Sequence, residues 1–297
     1  MTKNQVLKGV FLVGLGATSY GMLATFVKMA YDEGYSTPEV TTAQFVLGIL
    51  GMLLINLFQK NKKGNTVVKA SPENIFHLIA AGTTLAITSA IYYLPVKYIP
   101  VSIAIVLLMQ TVWMGVVVEM AIDKKLPALK KIIAVIIVLI GTFLATNVIA
   151  TTVSLDWRGI ALGLLAAASF TATMFTANHI ANHISSAQRS LYMLLGGAII
   201  VFGFALVTQV GPFQMGIFMK WGIVLALFGT IIPPLLMNAG FPLTGIGLGS
   251  IISALELPVS VTMAYVLLNE DVNVLQWFGI VLIIVAIIIM NTNSSKK

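Results

Sequence analysis

One carboxylate stands out by its surroundings: Glu256 lies near the middle of the apolar stretch 244–268. At that depth in a bilayer a carboxylate costs about 2.5–3.5 kcal/mol on insertion scales, so it is expected to face a cavity or a partner. Low-dielectric surroundings favour its neutral form, which suits it to exchanging a proton, while its charged form can anchor a substrate ammonium. The bland alternative is a structural carboxyl, protonated and hydrogen-bonded between helices. Other groupings fail on spacing. The run Gly245-Ile246-Gly247-Leu248-Gly249 is followed by Ser250, which misses the dinucleotide-binding pattern, and no strand precedes it. It fits a flexible helix start. His179 and His183 are four residues apart, with His77 on the same predicted side, but no acidic partner accompanies them and no metal site is expected. Neither a serine–histidine–carboxylate set at a glycine elbow nor a phosphate-binding loop is present. The chain has no cysteine, which excludes disulfides and thiolate chemistry. No enzyme activity and no cofactor are expected, so energy must come from a gradient or from exchange.

The elements that must position Glu256 follow from composition. Of 297 residues 58% are hydrophobic and only 9% charged, against about 25% charged in a soluble domain. A water-soluble exterior cannot be built from this chain; lipid is the solvent that fits. On a ruler of about 20 apolar residues per span, ten helices are expected at 7–29, 40–58, 75–94, 101–122, 129–149, 159–178, 191–210, 221–238, 244–268 and 274–290. The first apolar run is longer than a signal-peptide core and lacks a cleavage site, so it reads as a retained helix. With both termini inside, the inner loops hold Lys3, Lys8, Lys60, Lys62, Lys63, Lys69, Lys124, Lys125, Lys130, Lys131, Arg189, Lys296 and Lys297. The outer side keeps Lys28, Lys97, Arg158 and Lys220. That imbalance predicts cytoplasmic termini, and the net charge of +7 reports orientation rather than nucleic-acid binding.

The chain also repeats. Lys8-Gly9 matches Arg158-Gly159, Ser19-Tyr20 matches Ser169-Phe170, and Pro95 and Asp123 match Pro242 and Glu270 at one common spacing. The expected units are residues 1–150 and 151–297, each of five helices. Five is odd, so the second repeat enters the membrane inverted relative to the first. Inverted repeats around a midplane site are a recurrent design for alternating access. The fold class expected is thus all-α integral membrane, ten transmembrane helices as two inverted five-helix repeats.

Two five-helix halves, Ser19-Tyr20-Gly21 in the first helix, and Leu255-Glu256-Leu257-Pro258 leading to Asn269-Glu270 and Trp277-Phe278-Gly279 together resemble the EamA-type branch of the drug/metabolite transporter superfamily. In that family a Glu-Pro pair and a Gly-Glu pair are usual in the ninth helix. Here Leu257 separates Glu256 from Pro258, and Asn269 replaces the glycine. The resemblance implies a central cavity lined by the first, third, fourth, sixth, eighth and ninth helices, with the fifth and tenth peripheral. It implies export or exchange of amino acids, related metabolites or drug-like compounds at a bacterial plasma membrane.

Placed on that frame, the substrate-binding or coupling candidates are Glu256, Tyr20, Trp113, Gln110, Tyr92, Phe170, Asn178 and Asn238, a set of apolar walls with a few polar groups. Ordinary packing and interfacial belts compete with this reading, Tyr92 and Tyr93 lying near a predicted outer end. Glu119 is expected to pair with Lys124 or Lys125, and Lys28 to snorkel toward Asp32 and Glu33. Pro233-Pro234 reads as a hinge or a kink. The partners expected are a small-molecule solute, the lipid bilayer and protons, with room for a homodimer. A lipid or lipid-linked substrate flippase, or a membrane partner protein, is the rival reading.

Overall fold

The computed structural model describes residues 2–61, 68–93, 98–99, 101–148 and 156–292. Every element among them is helical, as a lipid-solvated backbone with no water to bond requires. In order they are α1 (Lys3–Asp32), α2 (Thr37–Asn61), α3 (Pro72–Tyr93), α4 (Val101–Leu108), α5 (Thr111–Asp123), α6 (Leu129–Ala145), α7 (Trp157–His179) and α8 (Ser186–Thr208). A π-helical turn, Phe218–Gly222, leads into α9 (Ile223–Ala226); a second, Leu227–Ile231, leads into α10 (Ile232–Thr244). The chain closes with α11 (Ile246–Ser253), α12 (Glu256–Leu268) and α13 (Val274–Thr292). Helix starts are capped as their residues allow: Thr2 and Gln5 bond reciprocally, and Asp156 and Ser185 each accept a first-turn N–H.

Seven segments are long and apolar enough to cross a membrane: Lys3–Asp32, Thr37–Asn61, Ile103–Asp123, Trp157–His179, Ser186–Thr208, Phe218–Thr244 and Ile246–Leu268. The expectation of ten is met on that criterion in seven cases. The other three predicted spans correspond to α3, which carries Glu73, Asn74 and His77 in its first two turns, to α6, and to α13. With 17 residues, α6 spans about 26 Å, short of a hydrocarbon core of about 30 Å.

Polarity is arranged for lipid. Leu53, Leu54, Leu57, Ile132, Ile133, Ile136 and Ile140 point outward, while Ser19, Thr111, Thr142, Thr171, Ser190, Thr230, Ser250 and Ser253 are buried. Apart from Thr142, whose hydroxyl has no partner among the described residues, these hydroxyls bond back to helix carbonyls or across helices; Thr84 and Thr173 likewise meet at 2.9 Å. Helices approach closely where small residues meet. A Cβ on Gly141 would lie 2.8 Å from the Gly279 carbonyl oxygen, so α6 and α13 touch backbone to backbone. Reciprocal overlaps place Gly82 of α3 on Met193 and Gly196 of α8 on Ile79.

The predicted fourth and ninth spans are not continuous helices. Each divides into pieces of 8 and 13 residues around a two-residue link, Met109-Gln110 in one and Ala254-Leu255 in the other. The links share their bonding: Gln110 N–H to Leu107 O and Val112 N–H to Met109 O in the first, Leu255 N–H to Ile252 O and Leu257 N–H to Ala254 O in the second. Both longer pieces end on a left-handed residue, Lys124 (φ 51°) and Asn269 (φ 52°). This register aligns Lys124 with Asn269, so the sequence pairing of Asp123 with Glu270 is displaced by two positions. In the second link Pro258 supplies the cause: without an N–H it cannot bond the Ala254 carbonyl, which Leu257 takes instead. The first link has Trp113 at that place. The sequence partner Pro95 of Pro242 lies outside the described residues.

Matching positions also do matching work. Ser19 of α1 donates to the Phe228 carbonyl at 3.1 Å, and Ser169 of α7 to the Thr84 carbonyl at 2.8 Å. The two halves of the chain are interleaved: α1 packs on α10 and α12, α7 on α3 and α4, α5 on α11, and α6 on α13. Two mixed bundles result, one built on α1, α10 and α12, the other on α3, α7 and α8, with α2 packed against α8 and against α9 and its flanking π turns.

Candidate functional site

A cavity of ≈ 30 Å³ lies where these bundles meet. Tyr20, Pro234, Met237, Asn238 and Phe241 wall it from one bundle; Leu85, Phe170, Thr173, Met174, Ala177 and Met193 wall it from the other. Its volume suits about one water molecule, so any solute requires the bundles to part. The expected lining by the fourth and ninth spans is not observed in this cavity, whereas α8 contributes through Met193. The prolines explain part of the shape. Pro233 and Pro234 fall in the first turn of α10, where missing N–H groups cost least, and the π turn Leu227–Ile231 precedes them.

Glu256 does not line this cavity; it stands at a helix start and reaches the wall residue Tyr20 electrostatically. It is the first residue of α12 rather than a mid-helix residue, because Pro258 breaks the span there. The α1–α12 approach is tight: a Cβ on Gly21 would lie 2.5 Å from the Glu256 carbonyl oxygen and 2.8 Å from Val259 Cβ. Tyr20, next along α1, is in electrostatic contact with the Glu256 carboxylate. Among the described residues that carboxylate has no hydrogen-bond or ion-pair partner. At the start of α12 the N–H groups of Leu257 and Val259 already bond the Ala254 and Leu255 carbonyls, and Pro258 has none to offer the carboxylate. At the position equivalent to Glu256, the first residue of α5, sits Thr111, buried and bonded to Thr171 Oγ1 at 2.8 Å.

The remaining candidates separate. Tyr20, Phe170 and Asn238 meet at the cavity. Asn178 does not line it; its Nδ2 donates to the carbonyl of the wall residue Phe241 and ties α7 to α10. Gln110 and Trp113 are elsewhere. Trp113 Nε1 donates to Gln110 Oε1 at 2.9 Å, and Gln110 Nε2 donates to the Val106 carbonyl at 2.9 Å, a local arrangement at the α4–α5 link. Trp113 is 38% exposed and lines an open apolar groove of ≈ 400 Å³ with Met114, Val117, Ala168, Ala172 and Phe175. The Tyr92 side chain lies outside the described residues.

Sequence reasoning missed Arg189. It was counted among the cations of an inner loop, yet it is 2% exposed in the first turn of α8. No carboxylate answers it among the described residues; three backbone carbonyls do. Nη2 donates to Thr176 O (3.2 Å) and Ala177 O, in the last turn of α7, where a cation also meets the negative helix end. Nη1 donates to Asn238 O at 2.6 Å. That carbonyl needs a donor because the residue four on is Pro242. The available signal was Pro242 inside a helix, which predicts an orphaned carbonyl at Asn238.

Other predicted pairings are revised. Glu119 accepts from Lys131, not from Lys124 or Lys125, and from Gly247 N–H at 3.3 Å. The glycine-rich run thus makes room for a carboxylate: a Cβ on Gly245 or Gly247 would lie 2.8 or 2.6 Å from it. Lys28 pairs with Glu270 rather than with Asp32 or Glu33, and Glu33 accepts from Lys220 and Trp221 Nε1 (both 2.8 Å), which hold its carboxyl below the usual range. His179 stacks on Phe175 and His183 meets Asn74, and no group of three metal-ligating side chains occurs among the described residues.

The EamA-like transporter family matches the chain twice, over residues 7–147 and 157–292. The chain belongs to the EamA-like transporter family. As such it is a multi-pass membrane protein of the drug/metabolite transporter superfamily, whose members are transporters rather than enzymes. A protein known by crystal structure superposes with a TM-score of 0.78 over 97% of this chain and 98% of its own, at 14% identity, a likeness of fold alone. No curated protein matches this EamA-like chain closely enough to add a relative.

Proposed function

We propose that the protein is a secondary active transporter or exchanger that moves a small organic metabolite, amino-acid-like or drug-like, by alternating access, with Glu256 coupling transport to protons. The observation that carries this is the Glu256 carboxylate at a mid-span helix break, without a hydrogen-bond or ion-pair partner among the described residues and in electrostatic contact with Tyr20, which walls a constricted apolar cavity between two bundles. In this reading the repeats, residues 1–150 and 151–297, are inverted five-helix units of a ten-span protein. The termini are cytoplasmic, the membrane is the plasma membrane, and a homodimer is compatible. Because the repeats interleave, the moving bodies are the two mixed bundles and not the two halves of the sequence. Tyr20, Phe170, Asn178 and Asn238 form the solute-facing set; Gln110 and Trp113 contribute through the α4–α5 link. Purified protein in proteoliposomes tests this with a panel of amino acids, nucleosides and hydrophobic amines: saturable counterflow is expected, with Glu256→Gln losing its pH dependence. A Glu256→Gln variant with normal pH-dependent flux would sink the coupling role.

The open groove at Trp113 supports a second reading, a lipid-handling protein, since it is apolar apart from Thr171 and has a volume of ≈ 400 Å³. Leaflet exchange of a fluorescent phospholipid in the same vesicles, reduced by Ala172→Phe, would favour that reading over the first.

A further inference from the structure

Asn238 is the polar pole of the cavity. Its Nδ2 faces Ser190 Oγ at 2.8 Å and Met193 Sδ at 3.7 Å. A thioether sulfur accepts and never donates, so the NH₂ group belongs on that side and the amide oxygen on the other. Oδ1 is therefore left buried without a donor, in a side chain only 3% exposed that lines the cavity. A buried acceptor in that condition is costly and calls for a partner. Nearby groups do not supply one. Arg189 is fixed by the carbonyls of Thr176 and Ala177 and by the Asn238 carbonyl, and its own Nε is equally unpaired. Because Pro242 frees that carbonyl, Arg189 grips the backbone that carries the amide and sets its direction. Aromatic and thioether groups make up most of the rest of the wall, Tyr20, Phe170 and Phe241 with Met174, Met193 and Met237, and Leu85, Ala177, Pro234 and Thr173 complete it; such surfaces suit a flat apolar body.

From this geometry we propose that Asn238 Oδ1 is the recognition point for an N–H or O–H donor of the transported solute, with Arg189 as its positioning residue. The solute is then a small aromatic or apolar molecule that carries one such donor. This rests on the carrier reading above and adds a requirement that a carrier need not have.

The test uses the purified full chain and matched probes that differ by one donor: indole against 1-methylindole, phenol against anisole, benzamide against N,N-dimethylbenzamide. Affinities are measured by thermal-shift titration. The donor-bearing member of each pair is expected to bind about ten-fold tighter or better. Asn238→Leu should level the pairs by weakening only the donor-bearing members. Arg189→Met should do the same in part, and Arg189→Lys should restore the preference; a merely structural role for Arg189 would weaken both members alike. Equal binding within the wild-type pairs, no binding by any probe, or a preference that survives in Asn238→Leu overturns the proposal. If Asn238→Leu fails to fold, the wild-type pairs decide. Counterflow of 1-methylindole that saturates at the same concentration as that of indole would overturn the donor pole while leaving the carrier standing, whereas no counterflow of any solute removes the carrier reading itself.

Discussion

Adding a single carbon at Gly21 should damage both stability and flux, through one contact. The built Cβ falls 2.5 Å from the Glu256 carbonyl oxygen and 2.8 Å from Val259 Cβ, both part of α12. Ordinary contact begins at 3.4 Å, so the start of α12 must retreat by roughly 0.9 Å, a move a packed interior resists. Overpacking of this kind costs about 1–3 kcal/mol. The first residue displaced is Glu256, whose carboxylate would withdraw from Tyr20. Gly203 provides the control. It sits in α8 with nothing within 4 Å of a built Cβ, so Gly203→Ala should stabilise the helix by about 0.5–1 kcal/mol. The assay pairs a melting curve of detergent-purified protein with counterflow at equal amounts of folded protein. Gly21→Ala should lower the midpoint by several degrees, at roughly 2–4 °C per kcal/mol, and cut flux several-fold, while Gly203→Ala leaves flux unchanged. A Gly21→Ala protein with wild-type midpoint and flux refutes the tight α1–α12 approach and the dependence of Glu256 on it.

Gly82→Ala and Gly196→Ala each drive a carbon into the backbone of the facing helix, at Met193 and Ile79; both should fail to accumulate folded protein, as size-exclusion profiles would show. Glu119→Leu leaves Lys131 and Gly247 N–H without their acceptor and should cost about 1–3 kcal/mol of stability; Glu119→Gln, which keeps an oxygen for Gly247, should cost less in the same melting assay. Glu33 has a depressed carboxyl pKa from its bonds to Lys220 and Trp221. Its contribution is therefore present above the usual carboxylate range and lost as pH falls through the lowered value, so Glu33→Gln should flatten the acid limb of the melting midpoint below about pH 4.

Much of this was written in the composition and the apolar runs. The absence of charge over long stretches fixes helices in lipid, and Ser19 and Ser169, matched by eye in the sequence, make the same cross-helix bond. Glu256 was legible because a lone carboxylate in an apolar stretch is conspicuous. Its setting was not. An apolar run reads the same whether its helix is whole or broken, and only Pro258 marks one of the two breaks; the other, at Met109-Gln110, has no proline to announce it. Trp113 lies well inside a predicted span, but depth does not tell which face of α5 a side chain takes. Arg189 was hidden for a related reason: positive charge near a helix end normally signals a loop, and its role depends on a carbonyl freed by Pro242, far away in sequence.

The matched breaks make Glu256 more informative than it is alone. The same half-helix start in the other part of the chain is occupied by Thr111, whose hydroxyl is satisfied by Thr171. A neutral hydroxyl is thus sufficient to build the break, and the fold does not need a carboxylate there. The first turn of α8 tells the same story. Arg189 is its fourth residue, and the fourth residue of α2 is Val40, equally buried. So each of the two charges near the cavity stands where its counterpart is neutral and the scaffold still closes. Burying a charge without an opposite charge is expensive, and in neither case does the helix geometry demand it. For Arg189 the kinked α10 supplies a structural reason. For Glu256, with no partner among the described residues, packing supplies none, and this is the ground on which we propose for it a use toward a proton or a solute.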